Sequence, residues 1–138
     1  MSKLHVFLLF VLIPWRIFSQ GEANIWYFGE NAGLDFNSGF PVALTNGQSN
    51  SFEGSASIAD ADGNLLFYTD GTTVWNRNHD TLQNGFGLLG EPSSTQAALI
   101  IPKPGSSTNY FIFTTAQAQR FDDFVFCYSE VDMSLDGG

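Results

Sequence analysis

The sequence predicts an all-β fold, a partial β-propeller-like array of antiparallel hairpins, on three observations. Short apolar or alternating runs, rich in aromatic and β-branched residues, are separated by Gly, Asn, Asp, Pro and Ser. Helical periodicity is nearly absent beyond the first twenty residues. Two hairpin-like segments also repeat: "SIADADGNLLFYT" starts at Ser57 and "LIIPKPGSSTNYFIFTT" at Leu99, 42 residues on, while their second strands centre on Phe67 and Ile112, 45 apart. Spacings of about 40 to 45 residues, with three or four short strands per unit, are those of propeller blades. A small β-sandwich uses similar strands and turns and is the alternative.

Taken in order, "NIWYFG" (24–29) reads as the first strand, "ENAG" as a turn and the residues around Leu34 to Phe36 as the second strand. "FPVALTNG" follows, with Asn46 and Gly47 supplying turn chemistry. The clearest hairpin joins a strand at Ser55 to Ala59 to another at Leu65 to Thr69 through Asp60 to Asn64, where Gly63 is free to take positive φ. "TTVWN" adds a short strand, and a looser Gly-rich passage runs from Asn84 to Ser94. "QAALIIPKP", the turn "GSST", "NYFIFTT" and "FVFCYSEVD" complete the pattern.

Residues 1–20 stand apart. Lys3, an apolar run from Val6 to Ile13 closed by Pro14 and Arg16, and a polar exit at Ser19 and Gln20 have the anatomy of a secretory signal peptide. The run falls short of the roughly 20 residues that a membrane-spanning helix needs. The sequence therefore divides into a signal peptide (1–20) and one propeller-like β domain (21–138). Cleavage removes Lys3 and Arg16 and takes the formal charge from -9 to -11. Such an acidic surface excludes nucleic acid as a partner, and membrane insertion after cleavage is not expected. The single Cys127 excludes a disulfide framework and, in its apolar alternating strand, reads as a small buried thiol. Four to eight blades close a propeller ring, more than this length holds, so the chain is expected to be the N-terminal part of a longer protein.

The segments "NIWYFGENAGLDFNSGFPVALTNG", "DADGNLLFYTDGTTVWNRNHD", "GLLGEPSSTQAALIIPKPG" and "YSEVDMSLDGG" resemble the N-terminal region of very large exported surface proteins of the Bacteroidota. Those proteins place a propeller-like region before PKD or other immunoglobulin-like repeats and a gliding-motility-associated C-terminal domain that directs type IX secretion. The resemblance implies a cell-surface or secreted protein with an adhesive or scaffolding role, and it carries over no catalytic residue. Everything that follows the propeller-like region in that family lies beyond Gly138.

The residues themselves assemble no catalytic motif. His79, the one histidine after the signal, lies in "WNRNHDT" beside Asp80, with no G-x-S-x-G elbow to supply a nucleophile. With one His and one Cys, a catalytic zinc centre is not expected. Asp60, Asp62 and Asn64 alternate around Gly63 like the opening of a calcium loop, and they are the only calcium candidates. Gly63 nevertheless precedes the third ligand position, and Gly71 stands where the twelfth-position Glu belongs, so a plain hairpin turn is the favoured reading. "TDGTTVWN" departs from an Asp box in two spacings. Glycoside hydrolysis needs two carboxylates at a set separation, and sequence alone does not bring Glu53, Glu91 or Asp123 into one cleft. Among the aromatics Trp75, bordering a polar loop, is the candidate for stacking on a sugar; packing between sheets is the commoner use.

The expected function is a non-catalytic, adhesive or scaffolding region that meets an extracellular polysaccharide or protein surface without a cofactor. The alternative is part of a secreted propeller enzyme or a carbohydrate-binding module. Export is testable directly: N-terminal sequencing of secreted material should begin at Gly21, within about one residue, whereas intact Met1 in that fraction contradicts cleavage.

Overall fold

The computed structural model describes residues 21–91, 93–115 and 126–135. The signal segment, Asp123 and the start of the last predicted strand lie outside them. Among these residues, after a 3₁₀ turn at Gly21–Ala23, ten strands form three antiparallel sheets, each a meander of consecutive strands. The first sheet holds β1 (Ile25–Tyr27), β2 (Gly33–Asp35) and β3 (Val42–Leu44). The central sheet holds β4 (Ala56–Ala59), β5 (Leu65–Thr69), β6 (Thr73–Asn76) and β7 (Thr81–Phe86). The third holds β8 (Ala98–Pro102), β9 (Asn109–Thr115) and β10 (Phe126–Asp132). β4 lies against both β1 and β8, so the leading strands of the three sheets meet while later strands extend away from them. This is an open propeller-like array of hairpins. No sheet closes into a barrel.

Strand alternation explains the layering. Phe67 and Tyr68 are successive residues of β5, so their side chains leave opposite faces of the central sheet; they are 0% and 1% exposed. Phe67, with Ile58, Leu66 and Val74, packs against Ala98 and Ile112 of the third sheet. Tyr68, with Ala59, packs against Ile25 and Tyr27 of the first. β5, in the middle of the central sheet, is therefore covered on both faces. Among the described residues the outer sheets are covered on one face only, and Trp26, Leu99, Ile101, Phe126 and Tyr128 are exposed.

Two details fix the junctions. Ile58 pairs with Phe67 but Ala59 with Leu65, so Leu66 is an extra, bulged residue that drops into the core shared with the third sheet. On the other side, two serines of the β4 region satisfy the free edge of β1. Ser57 Oγ accepts the Tyr27 N–H at 3.3 Å and donates to the Ile25 carbonyl at 2.9 Å, and Ser55 Oγ donates to the Tyr27 carbonyl at 3.0 Å. An edge that would otherwise pair with another chain is occupied by side chains.

The repeated hairpins superpose in a register one residue away from the one their sequences suggest. The bond closing the first runs from the Asp60 N–H to the Asn64 carbonyl, and that closing the other from the Lys103 N–H to the Asn109 carbonyl. Matching those bonds sets Ile58 on Ile101 and, through the pairs Ile58–Phe67 and Ile101–Phe111, sets Phe67 on Phe111 rather than Ile112. The longer turn at 104–108 and the bulged Leu66 shift the spacing. A one-residue slip exchanges the two faces of a strand, so Ile112 corresponds to Tyr68, and both face the preceding sheet.

Two other expectations change. The passage after Asn84 was expected to be loose, yet Thr81–Phe86 forms β7. It escapes the strand signal because Asn84 takes φ +59°, Gly85 follows it, and the pairing with β6 shifts register between Thr73 and Trp75. Cys127, expected to be buried, is half-buried in β10.

Gly63 holds the central turn as the sequence predicts, at φ +85°, a conformation that costs a side chain energy. The double-sided core gives a stability test. Phe67→Ala should lower stability by about 3–5 kcal/mol in urea unfolding, whereas exposed Phe40→Ala should change it by less than about 0.5 kcal/mol. Equal effects would contradict the core described above.

Candidate functional site

The acidic side chains concentrate in turns, where they work as acceptors. Asp35 Oδ1 accepts the Asn37 N–H at 2.7 Å. Asp60 Oδ1 accepts the N–H groups of Asp62 and Asn64 at 3.0 and 2.9 Å, and the Asn64 amide donates to both carboxylate oxygens. Asp70, nearly buried between β5 and β6, accepts the N–H groups of Thr72 and Thr73 and the Thr72 hydroxyl, each at 2.8 Å. Asp132 repeats the pattern with Ser134 after β10, and Asn76 Oδ1 does the same for Asn78 and Asp80. These are Asx turns, in which a side-chain oxygen stands in for a backbone carbonyl.

In this arrangement the calcium candidates Asp60 and Asn64 are bonded to each other, and Asp62 donates its N–H to Asp60. Asn64 turns its amide N–H groups, not its oxygen, toward Asp60, and the Asp60 carboxylate is occupied by the turn it closes. The geometry is that of a hairpin cap. Among the described residues no three His, Cys, Asp or Glu side chains come together to hold a metal ion. The hydrogen bonds from Asn64, led by its side-chain amide, hold the Asp60 carboxyl below its usual range.

The densest polar and aromatic cluster lies where the first sheet meets the central one. Tyr27, Tyr68 and Trp75 stack in a row, with centroids 4.5 Å apart for the first pair and 5.3 Å for the second. His79, at φ +67°, sets its ring edge-on to both tyrosines. Tyr27 Oη donates to Asn46 Oδ1 at 3.0 Å, which turns Asn46 Nδ2 toward His79 Nε2 at 2.7 Å. Nε2 thus accepts, so in the neutral ring the proton sits on Nδ1 and is directed at Tyr68 Oη, 3.1 Å away. The Gln48 N–H also donates to that hydroxyl oxygen, at 2.9 Å. Burial raises both tyrosine pKa values. The network ties loop 45–48 and the β6–β7 turn to the core, and it engages both imidazole nitrogens.

Trp75, beside the polar β6–β7 turn, is half-buried against Tyr68. The other carboxylates raised by the sequence accept from hydroxyl groups. Glu53 accepts from Thr95 at 3.1 Å and Glu91 from the Ser93 hydroxyl at 3.1 Å. Asp123 lies outside the described residues. Asn46, read from the sequence only as a turn residue, and Gln48 sit in a loop far along the chain from Tyr68 and His79, so their part in this cluster is not visible in the sequence.

A second feature is apolar. The outer face of the third sheet carries Leu99, Phe113 and Tyr128 in one cross-strand row and Ile101, Phe111 and Glu130 in the next. Phe113 stacks on Phe126 at 5.5 Å, and Phe111 meets Tyr128 edge-on at 5.7 Å. Phe126 and Tyr128 are 68% and 67% exposed. Glu130 is neutralised by Lys103 at 2.6 Å, and that ammonium also lies 5.5 Å from the centre of the Phe111 ring. A shallow groove lined by Gln96, Leu99, Ile101, Phe113 and Phe126 crosses this face.

Asp60 supplies a pH test. Because its folded carboxyl is more acidic than its unfolded one, its contribution is fully present above the unfolded value of about 3.9 and is lost as pH falls through the folded value. Asp60→Ala should destabilise by about 1–2 kcal/mol at pH 7. Asp60→Asn keeps an oxygen for the two backbone N–H groups and should retain most of that stability, while flattening part of the acid dependence below about pH 4. Urea midpoints across that range check both, and an unchanged acid slope in Asp60→Asn would assign it to other groups.

No protein-family model, curated protein or solved structure matches this chain.

Proposed function

We propose that the chain is an exported, non-catalytic region of a cell-surface or secreted protein, with an adhesive or scaffolding role. What supports this reading is the use made of its chemistry-bearing side chains: Asp35, Asp60, Asp70 and Asp132 each cap a turn, and both nitrogens of His79 are held by neighbours. A polar group bonded in this way stiffens a display surface, whereas a catalytic one must be available to a reacting atom. Rigid sheets with tightly capped, acidic turns suit a molecule that holds its shape outside the cell and presents that shape to others. No helix among the described residues is long and apolar enough to cross a membrane.

The test combines location with chemistry. Native cells should deliver the chain to the surface or medium, and the purified protein should bind cells or their extracellular polysaccharide saturably without changing it. Retention in the cytoplasm would remove the export element of the proposal. Release of new reducing ends from polysaccharide, abolished by replacing a single carboxylate, would establish the glycosidase alternative.

A further inference from the structure

The register of the two hairpins gives the outer face of the third sheet a specific counterpart inside the molecule. Sheet by sheet, Ile58 corresponds to Ile101 and Phe67 to Phe111, and pairing across to the next strand sets Val74 on Tyr128. Ile58, Phe67 and Val74 are the residues through which the central sheet buries itself against the third. Their counterparts on the third sheet face solvent or are half-buried. The third sheet therefore repeats, on its open side, the contact that the central sheet makes with it.

The opposite end of the stack is open in the complementary sense. β1 turns Ile25 and Tyr27 toward the central sheet, so alternation places Trp26 on the far face, in one cross-strand row with Leu34 and Ala43. Trp26 is 47% exposed and lies 5.0 Å from the Phe36 ring. That row contains no charge. On the third sheet the one acid in the two rows, Glu130, is paired with Lys103. On a chain of formal charge -9, these two end faces are where acidic copies can approach with least repulsion, and among the described residues neither carries the layer that its own sheet has on the other side.

We propose that the outer face of the third sheet receives the outer face of the first sheet of a second copy, continuing between molecules the sheet-on-sheet stacking found within one. The contact is head to tail. With two copies it closes when each third sheet meets the other's first sheet, and otherwise it propagates. Its driving force is apolar burial by Leu99, Phe111, Phe126 and Tyr128 against Trp26 and Leu34. Because both partners are acidic elsewhere, added salt should strengthen it by screening. It goes beyond the adhesive or scaffolding reading and is independent of whether the chain is exported.

Sedimentation of the full chain over a range of concentrations tests this. Association into species of twice the monomer mass or larger, tightened by salt, is expected. Tyr128→Glu on the third sheet and Ala43→Glu on the first change exposed residues and should each leave the fold intact by far-ultraviolet circular dichroism. Each should reduce or abolish self-association, while an equimolar mixture should regain a pair, because one undamaged junction remains between the two variants. A monomer at every concentration would overturn the proposal. So would association that Tyr128→Glu removes and Ala43→Glu leaves untouched, which would indicate third sheet against third sheet. If either variant loses its β signal, Phe126→Glu and Leu34→Ala repeat the comparison.

Discussion

The burial of β5 on both faces is the constraint on which the rest depends. A five-residue strand that hides Phe67 on one side and Tyr68 on the other must have a sheet on each side of it. It also needs hydrogen-bonded strands along both edges, which β4 and β6 supply. Burying one large side chain is worth about 1.5–3 kcal/mol, and here consecutive residues contribute to two separate cores. Loss of either neighbouring sheet would turn an interior strand face into an exposed aromatic one. Packing on the two faces of β5 is what holds the first and third sheets against the central one.

The same economy explains the composition. A meander of short strands has a turn every few residues, and each turn leaves backbone N–H groups without a strand partner. Asp and Asn answer that need most compactly, since their oxygens reach the N–H two or more residues on. Thus much of the acidity comes from turn-building, with the basic side chains few enough to leave a large negative charge. Asp70 shows how firmly this use binds a carboxylate: it is nearly buried, and one oxygen accepts three donors from the two threonines that follow. A charge so placed contributes to fold and solubility together.

How legible this was in the sequence depends on how local the determinant is. The strand Leu65–Thr69 and the strand Asn109–Thr115 coincide with their predicted limits, because alternation and β-branched or aromatic content act within a few residues. Gly63 and the Asp60 cap are equally local. β7 was missed because Asn84 and Gly85 carry turn chemistry inside a strand that tolerates irregular pairing. The aromatic row was visible as aromatics, yet its function as a polar anchor was not. Asn46, Gln48 and His79 converge on Tyr27 and Tyr68 only after the first and central sheets have packed. The stacking of Trp75 on its cross-strand partner Tyr68 likewise depends on the pairing of β5 with β6.

The repeat teaches the finer lesson. Matching apolar letters aligns Phe67 with Ile112, and both are indeed buried, so the match looks sound residue by residue. Hydrogen bonds decide otherwise: counted from the turn, Phe67 belongs with Phe111 and Tyr68 with Ile112. In the letter alignment the two hairpins would present equivalent faces toward each other, as layers of a sandwich do. In the hydrogen-bonded alignment they present equivalent faces in the same direction, and a stack built that way has no internal reason to stop. Each sheet ends with a face shaped by the same pattern that its predecessor used for burial. The exposed Phe126 and Tyr128 are therefore the consequence of a directional repeat, a face whose chemistry is that of an interior layer.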